Sequence, residues 1–260
     1  MSQPSAPVQA IDALPEERRE VLLWQVLGEV RWSFTRPMTW LVGVGVNMVL
    51  AAAWWTVLPL TGRHRSDWVI VVGTYFATFV LADVTTTNVL GLDALRVRVS
   101  LVRGVELRRI LAVKNLALLV IVALPTLLVV ALLTVTSGDP YRLVLTLPGV
   151  AFPILTWLGV GNVVSVLLPV AVTPVRERWE HRRDLLPTAR WLFHLVLPYA
   201  LLYAVNPVSH IPGAVFRNWP TLPRTPEYRG LVLALTGLCL WLLGTVTALL
   251  IVRMRGVRIR

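Results

Sequence analysis

Asp83 is the residue whose position in this sequence most directly suggests chemistry, because it lies within a long apolar run. An ionisable group inside a membrane segment is costly and often functional, so one interpretation is a proton or substrate site. The other is a structural carboxylate at the membrane boundary, hydrogen-bonded to the polar residues Thr85, Thr86, Thr87 and Asn88 that follow it. This polar neighbourhood favours the structural interpretation.

Two more polar residues, Asn162 and Ser165, lie in the middle of another apolar run, GVGNVVSVLLP. Side chains of these types form hydrogen bonds between helices in membranes, each contributing about 0.6–2 kcal/mol. They could equally line a transport pathway. The sequence leaves both interpretations open.

Searches for catalytic motifs find none. The sequence has no HExxH and no Gly-x-Ser-x-Gly. A phosphate-binding loop needs a lysine after a glycine pattern, but the sole lysine, Lys114, has no such pattern before it. The four histidines are scattered and Cys239 is the only cysteine. We therefore expect a non-enzyme that binds no metal or cofactor, with an intramembrane lipid-modifying enzyme using Asp83 and Asp93 as the alternative.

The composition is that of a membrane protein. Hydrophobic residues make up 56% of the chain and charged residues 15%, against about 25% charged in soluble domains. The mean hydropathy is +0.68. Several continuous runs reach the roughly 20 apolar residues of a spanning helix, which predicts an all-α integral membrane protein and excludes a β-barrel. The net charge of +11 could suggest nucleic acid. The arginines lie between the apolar runs, however, so we expect no nucleic-acid partner.

The chain divides into three parts. Residues 1–14 are predicted to be a disordered tail, and residues 15–37 an amphipathic helix on the cytoplasmic membrane surface. Residues 38–260 are predicted to form a membrane domain with six spans. These spans lie at about 39–60, 68–90, 114–135, 142–172, 190–207 and 230–252. Nineteen arginines and lysines fall on one side of them and six on the other, which predicts that both termini are cytoplasmic.

The amphipathic helix has two predicted faces. Leu23, Val26 and Leu27 share the apolar face at helical spacing, and Gln25 and Glu29 share the opposite, polar one. The apolar face is expected to lie in the membrane interface, where tryptophans are typical. An ordinary cytosolic helix packed on a partner is the alternative.

Prolines set apart the fourth span and the connection between the fifth and sixth. The fourth span contains Pro148, Pro153 and Pro169, which predict a kinked or broken helix. The connection is too proline-rich to span. We expect short external helices there, with Trp219 and Tyr228 near the interface.

The loop Asn88–Asn115 is the main charged interruption, with five arginines and the only lysine. Its first part, LRVRVSLV, alternates apolar and charged residues and predicts an extended or interfacial segment. Its second part, GVELRRILAVKN, predicts a short helix with Glu106, Arg108 and Arg109 exposed. The loop is either a positively charged membrane anchor or a docking site for a cytosolic partner.

The pattern resembles a permease of the ABC-2 type, the membrane subunit of a class of ATP-binding cassette exporters. The resemblance covers nearly the whole chain beyond residue 15, including its six-span plan. Three motifs carry it: Asn88-x-x-Gly91-x-Asp93, then Leu107-Arg108-Arg109-Ile110-Leu111-x-x-Lys114-Asn115, and finally Gly161-Asn162-x-x-Ser165-x-x-x-Pro169. Gly104 departs from the pattern, which has a proline or Ser-Pro at the start of the loop helix.

The resemblance implies a bacterial plasma-membrane exporter of an amphipathic, lipid-linked or drug-like substrate. Two copies of a cytosolic ATPase, which hold ATP and Mg²⁺, would drive it, and a second permease subunit would complete the pathway among membrane lipids. The segment expected to couple to the ATPase comprises Gly104, Glu106, Leu107, Arg108, Arg109 and Lys114. A non-transporting anchor subunit is a further alternative.

Overall fold

The computed structural model describes residues 22–35, 87–136, 138–169, 211–219 and 225–256, with a few single positions between them. Every regular element in these residues is a helix. In chain order the α-helices are α1 (Leu22–Ser33), α2 (Ala94–Val102), α3 (Leu107–Leu118), α4 (Leu124–Thr136), α5 (Leu143–Leu167), α6 (Ile211–Asn218) and α7 (Pro226–Arg255). The prediction of an all-α protein is confirmed for this part of the chain.

Within the described residues, three helices are long and apolar enough to cross a membrane. They comprise Leu107–Thr136, Pro140–Leu167 and Pro226–Arg255. At 1.5 Å per residue each is about 42–45 Å long, which exceeds the roughly 30 Å hydrocarbon core of a bilayer. They correspond to the predicted third, fourth and sixth spans. The tail 1–14, the first and fifth predicted spans, and most of the second with Asp83 lie outside the described residues.

The loop helix predicted from Gly104 to Lys114 is not separate from the third span. From Leu107 to Thr136 the chain forms one continuous helix. Leu107, Ile110 and Leu111 are buried on one side of its first turns. The buried face of these turns continues through Lys114 and Asn115 into the apolar half of the helix. The helix therefore does not end between the loop and the span. The prediction of two elements is therefore wrong.

A widened turn interrupts the hydrogen-bond ladder near the middle of this helix. The residues Leu119–Ala123 are π-helical and join α3 to α4. Pro125 follows two positions later. Proline has no N–H to donate to the carbonyl four residues earlier, here that of Ile121. The missing hydrogen bond accounts for the change from α-helical to π-helical bonding at this position. Helices bend at such turns, and the loop half is thus joined to the apolar half through a deformable turn.

The fourth span is unbroken. α5 runs from Leu143 to Leu167 in spite of two internal prolines. One of them, Pro148, leaves the Val144 carbonyl without its usual helix donor. The backbone of α7 covers that carbonyl at Gly230, where a Cβ would lie only 2.1 Å from the Val144 oxygen. α5 ends earlier than predicted, just before Pro169, because the residue preceding a proline is disfavoured in helical geometry.

α5 and α7 pack along a line of glycines. Three glycines on α7 face three α5 residues in the same order: Gly230 faces Val144, Gly237 faces Phe152 and Gly244 faces Gly159. A Cβ on Gly244 would lie 2.4 Å from the Gly159 oxygen, so the backbones touch. Small residues allow this close approach between membrane helices. Because the facing residue numbers rise together, the two helices run in the same direction.

The segment LRVRVSLV forms the helix α2, so the extended alternative of its prediction is wrong, while an interfacial position stays a prediction. Val97 is buried in an apolar cluster, and Leu101, one helical turn later, packs against the same cluster. Leu107 and Leu111 from α3 and Ala248 from α7 complete the contact. An isolated strand would leave its backbone groups unpaired, whereas the helix satisfies them internally and still buries one apolar face.

Gly104 ends α2. Its φ is +81°, a left-handed conformation that favours glycine. The N–H of Gly104 donates to the Leu101 carbonyl at 3.0 Å, and the N–H of Val105 donates to the Ser100 carbonyl at 2.9 Å. This pair of hydrogen bonds is the Schellman motif that closes many helices. The glycine that departs from the family pattern therefore makes the turn between α2 and α3.

The connection before the last span contains a short helix, α6, as predicted for this stretch. Trp219, directly after it, and Tyr228, in the first turn of α7, are exposed. The Tyr141 hydroxyl donates a hydrogen bond to the Glu227 carboxylate. This contact joins the 3₁₀ turn before α5 to the start of α7, at the end of the bundle opposite α2.

Candidate functional site

A buried ion cluster lies where α1, α2 and α3 meet. The Lys114 ammonium donates to Oε1 of Glu29 at 2.8 Å and to both carboxylate oxygens of Asp93 at 2.8 and 2.9 Å. The three side chains are only 7%, 9% and 5% exposed, respectively. Removing one member of a buried ion pair costs about 3–5 kcal/mol, because it leaves a buried charge without its partner. The cluster therefore ties the three elements together.

Arg96 and Trp32 complete this cluster. Arg96 bonds to the second oxygen of Glu29 at 2.8 Å and approaches Asp93 to 3.7 Å. Its guanidinium lies 4.8 Å from the centre of the Trp32 ring, which Lys114 also approaches at 5.8 Å. Two cations thus face two carboxylates beside an aromatic ring that attracts cations. Sequence reasoning placed Glu29 on a polar face and missed this arrangement, because the partners are far apart in the chain.

The polar face of α1 is the one that packs onto the protein. Glu29 and Val26 are buried, whereas Leu23 and Leu27 are exposed. Gln25 accepts a hydrogen bond from Nε of Arg109 at 2.8 Å. The predicted grouping of Val26 with the outward apolar face is thus wrong. The reason is that α3 supplies Lys114, which binds the Glu29 carboxylate, and Arg109, which binds the Gln25 amide. The polar face of α1 therefore faces α3.

The predicted coupling segment divides into buried and accessible residues. Leu107 and Lys114 are buried, and Arg109 is half-buried against α1. Gly104, Glu106 and Arg108 are exposed, and Glu106 and Arg108 form a surface ion pair. The accessible part of this segment is therefore narrower than the sequence suggested.

An exposed apolar stripe on α2 is a feature that sequence reasoning missed. Leu95, Val99 and Val102 are exposed, the first and last at 77% and 87%. They recur at positions i, i+4 and i+7, which places them on one face of a helix. This spacing is visible in the sequence, but the alternation of the same segment suggested an extended structure. We name these three residues the α2 stripe.

A second buried network joins the three long helices. Asn115 on α3 donates from Nδ2 to Oδ1 of Asn162 on α5 at 3.0 Å, and Asn162 donates to the Thr245 hydroxyl on α7 at 2.9 Å. The Thr245 hydroxyl donates to the Trp241 carbonyl at 2.8 Å. Both asparagines are buried. Asn162 therefore takes part in bonding between helices, one of the two roles that the sequence left open.

Ser165 holds the end of the second predicted span. Its hydroxyl donates to the Thr87 carbonyl at 2.7 Å and accepts from the Val89 N–H at 3.0 Å. The Asn88 carbonyl then accepts from the N–H groups of Gly91 and Leu92, making the turn that leads to Asp93 and the ion cluster. The Asn-x-x-Gly-x-Asp motif is thus a turn whose last residue is bound to Lys114.

The ion cluster is a set of contacts between helices. Within the described ranges, no group of three or more His, Cys, Asp or Glu residues could hold a metal ion. Both carboxylates of the cluster are engaged by cations. The contacts connect α1 and the loop to the first turns of a membrane-length helix.

Comparisons of the chain with protein-family models, with curated proteins and with solved structures find no match.

Proposed function

We propose that this chain is the membrane-spanning permease subunit of an ABC exporter of the ABC-2 type. A separate cytosolic ATPase that holds ATP and Mg²⁺ drives it, and a second permease subunit completes the pathway. The exported substrate is amphipathic, lipid-linked or drug-like. The chain has six spans with both termini in the cytoplasm of a bacterial cell. The resemblance of its motifs to this family supports the proposal.

One observation carries the proposal: the loop expected to meet the ATPase is built into a membrane-length helix. α3 begins at the loop, and the helix continues through the π-helical turn and α4 to Thr136. Lys114, two turns into it, is bound to Glu29 of α1 and to Asp93 at the end of the second predicted span. A displacement of the loop would therefore move three elements together, which is what a driven permease requires.

The placement of charge supports the proposed orientation. At the end of the bundle formed by α2, the start of α3 and the end of α7 lie Arg96, Arg98, Arg103, Arg108, Arg109, Lys114, Arg253 and Arg255. The connections towards the other end carry Arg142, Arg217 and Arg229. Cationic residues concentrate on the cytoplasmic side of membrane proteins. The end with α2 is thus the proposed cytoplasmic end.

The parallel packing of α5 and α7 supports the proposed number of spans. Two spanning helices that run in the same direction need an odd number of crossings between them. The predicted fifth span, 190–207, supplies one crossing. Residues 168–225 contain no second apolar run of comparable length. A single crossing between α5 and α7 is the number that a six-span chain requires.

The docking surface for the ATPase consists of the α2 stripe and the exposed pair Glu106 and Arg108. The stripe offers apolar contact area outside the bundle. The pair offers both signs of charge at the adjoining turn. An apolar centre with a charged rim is the usual anatomy of a specific protein interface.

The test is isolation of the tagged full-length chain from membranes of its native host. The co-isolated proteins are identified by mass spectrometry, and ATP hydrolysis of the complex is measured with Mg²⁺. We expect a subunit with Walker motifs. The variant Leu95→Glu with Val102→Glu should lose this subunit together with the ATP hydrolysis, as should Glu106→Arg with Arg108→Glu.

The matched control is Arg217→Glu with Arg229→Glu, which changes charge at the other end of the bundle and should retain the ATPase. Absence of any Walker-motif subunit would refute the proposal. Retention of the ATPase by both docking variants would refute the docking surface.

A further inference from the structure

The π-helical turn between α3 and α4 holds one residue more than a regular helix would. On its loop side, the buried face of α3 recurs every three or four positions and comprises Leu107, Ile110, Leu111, Lys114, Asn115 and Ala117. Beyond the turn, Thr126, Val130 and Thr134 continue a buried face that starts at Val122. Five positions separate Ala117 from Val122. A π-turn bonds residue i to i+5 where an α-helix bonds i to i+4, so one extra residue fits the gap.

This turn also lies at the boundary between two apolar clusters. On the loop side, Leu107 and Leu111 are buried in a cluster with residues of α2 and α7. On the other side, Val122 and Val130 are buried in a different cluster with residues of α5. Leu118, the last residue before the turn, packs against both clusters. The two halves of one helix thus belong to separate packing units.

The ion cluster makes the loop side a single body. Lys114 on α3 binds Glu29 on α1 and Asp93 directly before α2, each at 2.8 Å. Arg96 on α2 binds the other oxygen of Glu29 at 2.8 Å. Separating a buried ion pair is costly, because each charge would lose its partner in the interior. We call the three helices α1, α2 and α3 the loop unit.

The turn is incompletely packed on the side that faces α1. A cavity of about 30 Å³ lies there, lined by Trp32 and Ser33 from α1 and by Leu118 and Ile121 at the turn. Protein interiors contain few voids larger than a water molecule. Leu118 and Ile121 therefore have room to shift. Because Pro125 has no N–H for the Ile121 carbonyl, the backbone at this level also lacks one helical restraint.

We propose that the π-turn is a hinge at which the loop unit bends as one body against α4 and α5. The hinge is a property of this chain alone, and only its use by an ATPase rests on the function proposed above. Helices kink by more than about 20° at such turns. The 12 residues of α3 form an arm of about 18 Å. A bend of 20° therefore moves Leu107 by about 6 Å.

The contacts between α3 and the rest of the bundle permit this bend. Towards α7 they are apolar and include Ala248. Apolar contacts have no preferred direction, so these surfaces can slide. The hydrogen bond from Asn115 to Asn162 on α5 lies only about 6 Å along the helix from the turn, where a bend displaces α3 least.

The test measures distances by double electron–electron resonance on the purified full-length chain in nanodiscs. Spin labels are attached at the exposed positions Arg98→Cys on α2 and Thr136→Cys at the end of α4. The chain carries Cys239→Ser, since Cys239 is exposed. A second pair, Arg31→Cys with Arg98→Cys, lies within the loop unit. We expect the distance distribution across the turn to be about 6 Å broader than the one within the loop unit.

The locked variant combines deletion of Val120 with Pro125→Ala. The deletion removes the extra residue, and alanine supplies an N–H for the Ile121 carbonyl, so the helix becomes a regular α-helix. The distribution across the turn should then narrow to the width found within the loop unit. Pro125→Ala alone keeps every residue in place and should narrow it in part. It replaces the locked variant if that chain fails to fold.

The matched control for the deletion is the removal of Val129, which like Val120 is an exposed valine of the same helix. Each residue turns an α-helix by about 100°, so losing Val129 rotates Val130 and Thr134 away from their buried positions. Losing Val120 brings the buried faces into regular helical register. The Tm without Val129 should therefore be at least about 5 °C below the Tm without Val120.

Equal widths across the turn for the unaltered and locked chains would overturn the hinge. A distribution within the loop unit as broad as the one across the turn would overturn its movement as one body. Equal Tm values for the two deletions would overturn the assignment of an extra residue. None of these measurements includes an ATPase, so their outcome is separate from that of the co-isolation experiment.

Discussion

The Lys114 ammonium and the Glu29 carboxylate lie 2.8 Å apart in the interior although 85 positions separate them in the chain. This contact brings an N-terminal helix against the start of a membrane-length helix. It also explains why Lys114 is buried. The only lysine of the chain is an internal counter-ion for two carboxylates.

Lys114→Met should destabilise the protein by about 3–5 kcal/mol, because Glu29 and Asp93 would remain buried without their shared cation. We expect a lower Tm and faster tryptic cleavage at Arg31 in α1. Both are measured on the detergent-solubilised full-length chain. The control is Arg108→Met, which breaks an exposed ion pair and should cost no more than about 1 kcal/mol. Equal Tm values for the two variants would contradict a stabilising role of the cluster.

Asn162→Leu should destabilise the bundle by about 1–3 kcal/mol, because it leaves the buried Nδ2 of Asn115 without its acceptor. The double variant Asn115→Leu with Asn162→Leu should be more stable than this single variant, since no amide is left unsatisfied. Thermal unfolding of the unaltered chain, of Asn162→Leu and of the double variant ranks their stabilities. A double variant less stable than Asn162→Leu would show that the network does not act through hydrogen bonding.

Gly244→Ala should separate α5 from α7, because the added Cβ would lie 2.4 Å from the Gly159 oxygen. Overpacking of this kind costs about 1–3 kcal/mol. The measurement is the Tm, together with the rate of disulfide formation between cysteines introduced at Phe152 and Gly237. Gly213→Ala in α6 is the control, since its Cβ would meet nothing within 4 Å. Unchanged cross-linking in Gly244→Ala would argue against the close backbone contact.

Gly104→Ala should destabilise the turn between α2 and α3 by about 1–2 kcal/mol, which is the cost of a left-handed conformation for a residue with a Cβ. A Cβ at this position would meet no neighbour, so the effect is conformational and not a clash. Gly104→Asn should be milder, because asparagine tolerates this conformation better. The measurement is the Tm of the unaltered chain, of Gly104→Ala and of Gly104→Asn, and Gly104→Ala should have the lowest value. Identical values would mean that the turn relaxes away from the left-handed region.

The apolar helices and the polar residues within them were predictable because they depend on local pattern. Continuous apolar runs identify the helices that begin at Leu107, Pro140 and Pro226. Polar side chains inside such runs bond to a neighbouring helix or line a pathway, and the sequence left both roles open for Asn162 and Ser165. Their actual partners, Thr245 and Thr87, follow from the packing of helices and leave no local signal.

The boundaries and the partners of the loop were decided by tertiary structure. Alternation over LRVRVSLV predicted an extended or interfacial segment, yet it forms the helix α2, because Val97 and Leu101 can join an apolar cluster with α3 and α7. The prolines of α5 predicted a kinked or broken helix, yet α5 is unbroken and the glycines of α7 cover the backbone there. The periodicity of a sequence predicts which face of a helix is apolar. It does not predict which other helix packs against that face.

Composition predicted a helical membrane protein, the distribution of arginines predicted its orientation, and the order of residues before Lys114 shows no phosphate-binding loop. These properties depend on totals and on local order along the chain. The contact between Glu29 and Lys114 and the inward turn of the polar face of α1 depended on the tertiary structure. Charges so far apart in sequence become partners only when packing excludes water from both of them, which makes pairing far more favourable than separate burial.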